Sequence, residues 1–131
     1  MLKALHVKNF YTLQDVTLHL HKGLNILSGE TGAGKSLVFK ALLLLFDKSK
    51  RNAPTVTSEE PLTITGTFSQ SATLVTLLES LNLPVESEGT LTLQRFFYKN
   101  KPAKALLNHV AVTQQILDQL LKQLIVFTGQ F

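Results

Sequence analysis

Three glycines, a lysine and a serine lie close together between residues 29 and 36, where the sequence reads GETGAGKS. This segment satisfies the pattern G-x-x-x-x-G-K-[ST] at every position. Glycine adopts positive φ and lets the backbone approach an anion closely, so successive backbone N–H groups can point at phosphate oxygens. The lysine then reaches the β- and γ-phosphates, and the serine hydroxyl holds Mg²⁺. The pattern predicts a nucleotide-phosphate site formed by Gly29, Glu30, Thr31, Gly32, Ala33, Gly34, Lys35 and Ser36.

The segments on either side of this loop have the character of the elements that must position it. Residues 24–27 (LNIL) form an apolar run that predicts a short buried strand. Residues 36–48 are almost all apolar, which predicts a helix enclosed by other elements. The first turn of that helix would add free N–H groups and the positive end of the helix dipole. A strand, a loop and a helix in this order are the context that the pattern requires.

Two polar residues farther along the chain are candidates for metal binding or catalysis. Asp47 follows an apolar run, but it continues the predicted helix and would lie about 16 Å from the loop at the helical rise. No other apolar strand of the sequence ends in Asp or Glu, so the chain lacks a predicted metal-binding carboxylate and general base. Gln130 follows residues 124–127 (LIVF), which predict a buried strand. Its amide oxygen either faces Mg²⁺ or an attacking water, or is simply a polar group after a core strand.

Alternation of apolar and polar residues predicts further strands, and spacing by three and four residues predicts further helices. Two alternating segments at the start of the chain predict an antiparallel hairpin that turns near residues 9–12. The remaining predictions are strands at 62–69 and 90–98, a partner strand near 103–108, a helix at 71–83 with Ser71 as N-cap, and a helix at 112–124 with Thr113 as N-cap.

The composition fits one globular domain. The chain has 131 residues, of which 44% are hydrophobic and 17% are charged. It has no cysteine, which excludes a disulfide framework and a thiolate metal site. The longest apolar stretch, residues 41–46, is too short to span a membrane, and no segment resembles a signal peptide. We therefore expect a cytoplasmic protein without a membrane partner.

The net charge of +4 favours anionic partners, a class that includes nucleotides and nucleic acids. Basic residues cluster at 47–51 and 98–104, and each cluster is either a solvated loop or a nucleic-acid contact. Residues 8–10 lie at the predicted hairpin tip, where they could contact a base. His19 and His21 share a strand face, but no third ligand accompanies them in the sequence, so we interpret them as surface histidines.

Three segments together resemble the N-terminal part of the RecN family, which are bacterial DNA-repair ATPases of the SMC and ABC type. They read MLKALHVKNF, GLNILSGETGAGKSLVFKAL and LLNHVAVTQQILDQLLKQLIVFTGQF, and the resemblance is weakest over residues 49–89. It implies an α/β fold of the P-loop NTPase class, the N-terminal lobe of an ABC-type, SMC-like head with a mixed, largely antiparallel sheet. Residues 1–131 would then be the first half of that head, from the P-loop to the glutamine loop, without its coiled coil and C-terminal half.

The resemblance also implies a function in recombinational repair of DNA double-strand breaks. The intact protein would bind ATP and Mg²⁺, hydrolyse ATP, engage DNA and form a head-to-head homodimer, in the cytoplasm and at the nucleoid during repair. Lys35 and Gln130 would be catalytic, with Gln130 sensing the γ-phosphate and sharing Mg²⁺ with Ser36. The family's Mg²⁺-holding aspartate and catalytic glutamate belong to the second half of the head. We therefore expect this chain alone to bind ATP or ADP weakly and to hydrolyse ATP negligibly.

Three positions depart from the family pattern, and two other functions stay open. Residues 47–51 replace glycines and an arginine, Arg95-Phe96 replaces paired arginines, and Asn108-His109 replaces Asn-Gly. A small P-loop kinase for a nucleoside or metabolite would need a lid with arginines and an acidic acceptor site, and residues 47–51 are the candidate lid. An architectural DNA-binding module would instead hold a DNA phosphate in the glycine-rich loop.

Overall fold

A computed structural model of the chain describes residues 2–10, 13–19, 40–41, 44–45, 56–86 and 89–128. The predicted strand at 24–27 and Asp47 lie outside the described residues. The elements, in chain order, are strands β1 (Leu2–Phe10), β2 (Leu13–His19) and β3 (Leu62–Ser69), helix α1 (Ala72–Ser80), strands β4 (Thr90–Phe97), β5 (Lys104–Leu107) and β6 (Val110–Val112), and helix α2 (Gln114–Thr128).

The strands form one sheet in the order β2-β1-β3-β4-β5-β6, and every described pairing is antiparallel. The first hairpin is confirmed, with Phe10 opposite Leu13 next to the turn. Strand β3 pairs with β1 on the side away from β2, so β1 lies inside the sheet. From β3 to β6 each strand pairs with the next one along the chain. The predicted α/β fold with a largely antiparallel sheet is therefore confirmed in the part of the chain that the structure describes.

The two faces of the sheet differ sharply in burial. Along β3 and β4, buried and partly exposed residues alternate one by one, as expected when one face of a sheet packs on a core. We call the buried side the core face and the opposite side the outward face. Both helices contribute leucines to the single cluster that covers the core face. The largest fully buried side chains among the described residues are Phe68, Leu5, Leu45, Ile64, Leu74, Leu78, Leu91, Leu93, Leu107, Leu117 and Leu120.

Helix α1 has defined signals at both ends. The Ser71 hydroxyl accepts a hydrogen bond from the Leu74 N–H at 3.1 Å, which confirms the predicted N-cap. At the other end Asn82 has a φ of 58°, and the Leu83 N–H donates to the Leu78 carbonyl at 2.9 Å. This arrangement is the Schellman motif, in which a left-handed residue satisfies the last carbonyls of a helix.

Helix α2 is longer than the sequence predicts. Its N-cap is confirmed, because the Thr113 hydroxyl accepts a hydrogen bond from the Ile116 N–H at 3.2 Å. The helix then continues to Thr128, so the predicted strand at 124–127 is wrong. Isoleucine and valine favour strands only weakly, and each residue added to an existing helix gains a hydrogen bond without a new nucleation cost. The apolar residues also keep spacings of three and four residues through Phe127.

A hairpin between β5 and β6 was not predicted. Leu107 pairs with Val110, so Asn108 and His109 form a two-residue turn, with φ of 45° and 69°. Positive φ at both positions is the type I′ geometry that matches the twist of a hairpin. Asn108 is buried, and its side chain accepts from the Thr92 N–H at 2.9 Å and donates to the Pro84 carbonyl at 2.9 Å. The turn therefore fastens the edge hairpin to β4 and to the segment after α1.

Candidate functional site

The predicted nucleotide residues Gly29 to Ser36, and Gln130, lie outside the described residues. The structure describes what stands immediately downstream of the loop. Residues 40–41 and 44–45 are helical, in agreement with the helix predicted to follow the loop, and we call them the loop-helix segment. It is the described part of the chain that follows the predicted loop most closely in sequence.

The loop-helix segment lies with one side against the core face. Ala41 and Leu45 are 0% exposed and Leu44 is 8% exposed, whereas Lys40 is exposed. Buried residues at spacings of three and four are typical of a helix with one apolar side on a sheet. Burial of each leucine contributes about 1.5–3 kcal/mol relative to an exposed one. The segment is therefore held firmly on the sheet.

Gly66 on β3 permits the close approach of this segment. A Cβ atom at Gly66 would lie 2.6 Å from Leu45 Cδ2 and 3.0 Å from Phe68 Cε2. Real Cβ atoms do not approach other carbons so closely, and both neighbouring side chains are fully buried, so neither has space to withdraw. Any larger residue at this position must therefore displace the Leu45 or Phe68 side chain within a filled core.

Arg95 on β4 provides a polar contact to the same segment. Its side chain is on the core face with only 7% exposure, and its Nη1 donates a hydrogen bond to the Leu44 carbonyl at 3.1 Å. The guanidinium carbon also lies 5.2 Å from the centre of the Phe97 ring. A hydrogen bond from a charged donor contributes about 1.5–3 kcal/mol. Arg95 thus links β4 to the helix that follows the predicted loop.

Arg95 and Phe96, one of the three places where a departure from the family pattern was expected, lie on opposite faces of the sheet. Arg95 faces the core, and Phe96 faces outward opposite Thr63 and Lys104. Of the two residues, Arg95 is therefore the one that contacts the loop-helix segment.

The first hairpin carries two further polar contacts. At its tip Asn9, with a φ of 64°, donates to the Glu60 carboxylate and to the Pro61 carbonyl, each at 3.1 Å. Its amide is thus used to hold the segment before β3, and a base contact by residues 8–10 stays a prediction. On the outward face His6 Nε2 lies 2.6 Å from the Asp15 carboxylate.

The described residues contain neither a cluster of metal ligands nor a membrane-spanning helix. His19 is exposed, as predicted, and His21 lies outside those residues. In the described ranges no group of three or more His, Asp or Glu side chains is arranged to hold a metal ion. Nor does any helix in those ranges combine the length and apolar character needed to cross a membrane.

Sequence reasoning did not identify Gly66 or Arg95 as supports of the site. A signal for each was present in the sequence. Gly66 is an isolated glycine inside an alternating strand, a position that often marks the close approach of another element. Arg95 occupies the apolar register of β4, between Leu93 and Phe97. Neither signal says which element makes the contact, because that depends on the packing of distant segments.

Comparison with known proteins gives one family match and a set of relatives. A family model described as an AAA ATPase domain matches residues 1–127. The DNA repair protein RecN of Synechocystis sp. is 32% identical over 133 residues, which cover 99% of this chain and 23% of that protein. RecN of Haemophilus influenzae is 29% identical over 133 residues, with 99% and 24% coverage. The chain thus spans about a quarter of the length of these curated relatives.

Solved structures agree at the level of the fold. A structure from a study of ATP-driven dimerization and DNA-stimulated activation of SMC ATPases matches with a TM-score of 0.66 and 18% identity, over 92% of this chain and 77% of that one. The SMC head domain from Thermotoga maritima matches with a TM-score of 0.58 and 17% identity, over 90% and 41% of the two chains. The fold of this chain is therefore similar to part of the fold of these SMC proteins.

Proposed function

The chain belongs to the family of AAA ATPase domains, and on that premise we propose that it is the ATP-binding N-terminal part of a RecN-like protein of recombinational DNA double-strand break repair. The observation that supports this most is similarity to RecN proteins over 99% of the chain, with the loop GETGAGKS inside the matched region. A kinase or a purely architectural module is less favoured, since these relatives are DNA repair proteins and this chain matches an ATPase domain model.

The proposed nucleotide site consists of residues 29–36, with backbone N–H groups around the phosphates. Lys35 would contact β- and γ-phosphate oxygens, and Ser36 and Gln130 would offer a hydroxyl and an amide oxygen to Mg²⁺. Oxygen donors of these kinds suit this hard cation, which is commonly bound through few protein ligands together with substrate phosphates. Bound Mg²⁺ would neutralise charge on the phosphates during hydrolysis.

The sheet would serve this site as a rigid support. Backbone N–H groups at a helix start bind phosphate well only when the helix is held in place, because a mobile donor must be ordered at each binding event. Burial of Leu44 and Leu45, the glycine at position 66 and the Arg95 hydrogen bond all restrict the loop-helix segment. We therefore assign to Gly66 and Arg95 a positioning role for nucleotide binding.

Hydrolysis would require more than this chain. No carboxylate suited to hold Mg²⁺ or to act as general base is evident in the sequence, and loss of a charge-stabilising group supplied in trans costs about 10³–10⁵ in rate for related NTPases. The intact protein would also contain the C-terminal half of the head and would form a head-to-head homodimer. It would act on DNA, in the cytoplasm and at the nucleoid. The 131-residue chain alone would bind ATP or ADP and turn over negligibly.

Titration with a fluorescent ATP analogue and Mg²⁺ tests the proposal. Wild-type chain should bind saturably and release the probe when unlabelled ATP is added, and Lys35→Ala should weaken binding at least about tenfold. Lys122→Ala is the matched control, because Lys122 is an exposed lysine of α2 and its loss removes the same charge. Equal binding by wild type and Lys35→Ala would refute the proposed site. A turnover of about one per second or faster by the wild-type chain would contradict the expected inactivity.

A further inference from the structure

The outward face of the sheet carries a group of aromatic and basic side chains near the end of β4. Phe96 pairs across the sheet with Lys104 on β5, and Tyr98 follows two residues later, so all three lie on the same side. The turn between the two strands contributes Lys101. We call Phe96, Tyr98, Lys101 and Lys104 the ring–lysine patch. None of the four belongs to the hydrophobic cluster formed by the described core residues.

The rings and ammonium groups of the patch are arranged in a regular way. The Phe96 and Tyr98 rings are nearly parallel, with an angle of 12° between planes and 6.4 Å between centres. Lys101 Nζ lies 4.7 Å from the centre of the Tyr98 ring, and Lys104 Nζ lies 5.1 Å from that of Phe96. Both lysines are exposed and both rings are partly exposed. Flat apolar surfaces that are partly open to solvent and exposed positive charges are thus side by side.

The charge of this region is positive. Residues 96–104 include Lys99, Lys101 and Lys104 and contain no acidic residue. Lys99 approaches Glu59 at 3.4 Å, which offsets one of these charges. Among the described residues, Lys101 and Lys104 contact aromatic rings, so their charge stays available to a polyanion. The patch is complementary to an anionic partner.

Among anionic partners, a single strand of nucleic acid matches both features of the patch. Its phosphates attract lysines, and its unstacked bases pack on aromatic rings. A duplex hides its base faces inside the stack, so it would use the lysines but not the rings. An acidic peptide would likewise leave the rings without a flat partner.

We propose that the ring–lysine patch binds single-stranded DNA by stacking bases on Phe96 and Tyr98 and by neutralising adjacent phosphates with Lys101 and Lys104. The choice of DNA over RNA rests on the repair function proposed above, whereas the stacking of bases on the two rings is argued from their geometry alone. On binding, the two ammonium groups leave the ring faces for phosphates, and bases take their place. The four side chains are on the outward face, whereas the support for the nucleotide loop is on the core face.

Fluorescence anisotropy with a fluorescein-labelled 20-nucleotide oligothymidine tests this surface on the full 131-residue chain. Phe96→Leu/Tyr98→Leu removes the rings while keeping apolar side chains, and should weaken binding about tenfold or more. Lys101→Gln/Lys104→Gln keeps side-chain length but removes two charges, and should lower the slope of log affinity against log salt by about 0.7 per lysine. Lys122→Gln on α2 is the control and should leave both quantities close to wild type.

The outcomes separate this proposal from the nucleotide proposal. Circular dichroism and the fluorescent ATP analogue are measured on every variant, and ring and lysine variants should retain the wild-type spectrum and nucleotide affinity. Oligothymidine affinity that is unchanged in both double variants overturns the patch, whatever the nucleotide result. Equal or tighter binding of a matched duplex, insensitive to the ring substitutions, overturns single-strand stacking as well. If the ring variant does not fold, the test depends on Lys101→Gln/Lys104→Gln, and an unchanged salt slope in that variant overturns the patch. A wild type that binds oligothymidine through the patch but no ATP analogue would refute the nucleotide site and leave the patch standing.

Discussion

The core face and the outward face of strand β4 differ within a span of four residues. Arg95 and Phe97 face inward, where the arginine donates to the Leu44 carbonyl and lies against the phenylalanine ring. Phe96 and Tyr98 face outward, where two lysines lie over their rings. Both faces thus combine aromatic rings with cations. Burial separates their roles, because an enclosed cation must be satisfied by the protein itself, whereas an exposed one can exchange its contact for a partner.

The same contrast extends across the sheet. On the core face a glycine admits a helix at close contact, and leucines exclude water from around it. On the outward face Thr63 of β3 lies between Phe96 of β4 and Lys8 of β1, and Thr65 lies between Gln94 and His6. A substitution on the core face should therefore affect folding, and one on the outward face should affect surface contacts. The following changes test that division, beginning with the largest effect.

Gly66→Val should destabilise the chain by about 3 kcal/mol, because its side chain would overlap Leu45 and Phe68 in a filled core. Urea unfolding followed by circular dichroism measures the change. Thr65→Val is the matched control, since Thr65 is the neighbouring outward-facing residue and should alter stability by less than about 0.5 kcal/mol. Equal effects of the two substitutions would mean that the faces do not differ as described.

Arg95→Ala should destabilise by about 2 kcal/mol, because the Leu44 carbonyl would lose a charged donor in a buried setting. It should also weaken binding of the fluorescent ATP analogue, since the loop-helix segment would be less restricted. Phe96→Leu, one residue away on the outward face, should cost less than about 1 kcal/mol and leave nucleotide affinity unchanged. A reversed order of stability between these two variants would contradict the assignment of Arg95 to the support.

His109→Gly should stabilise the chain by about 1 kcal/mol, because a φ of 69° is strained for histidine and free of strain for glycine. The turn lies at the sheet edge and belongs to neither face, so nucleotide and oligonucleotide binding should stay at wild-type values. Thermal unfolding measures the gain. A loss of stability would show that the His109 side chain makes a compensating contact.

Asp15→Asn should have the smallest effect, a loss of no more than about 0.5 kcal/mol, because the pair it forms with His6 is on the outward face and open to solvent. Urea unfolding at pH 7 of Asp15→Asn, His6→Gln and the double variant gives the coupling free energy of the pair through a double-mutant cycle. A coupling free energy well above about 0.5 kcal/mol would mean that pairs on the outward face also stabilise the fold.

Several parts of this molecule could be predicted from sequence because they depend on neighbouring residues. Ser71 and Thr113 cap helices through backbone groups three residues away, and the strand at 62–69 alternates along its own length. The prediction from local sequence was wrong at 124–127. Branched apolar residues there suggested a strand, but the helix that begins at Gln114 continues through them. The turn at Asn108-His109 was also not predicted. The usual sequence signal for such a turn is Asn-Gly, and this chain has histidine at the second position.

The sequence by itself determined the glycine-rich loop with its lysine and serine and the strand and helix periodicities, since each depends on residues close together along the chain. It also determined the family, through a match over residues 1–127. Tertiary structure alone decided that β1 lies between β2 and β3, that Gly66 meets Leu45, and that Arg95 bonds to the Leu44 carbonyl 51 residues away. The physical reason is that alternation tells which side chains share a face, while the partner of that face depends on how distant segments pack together.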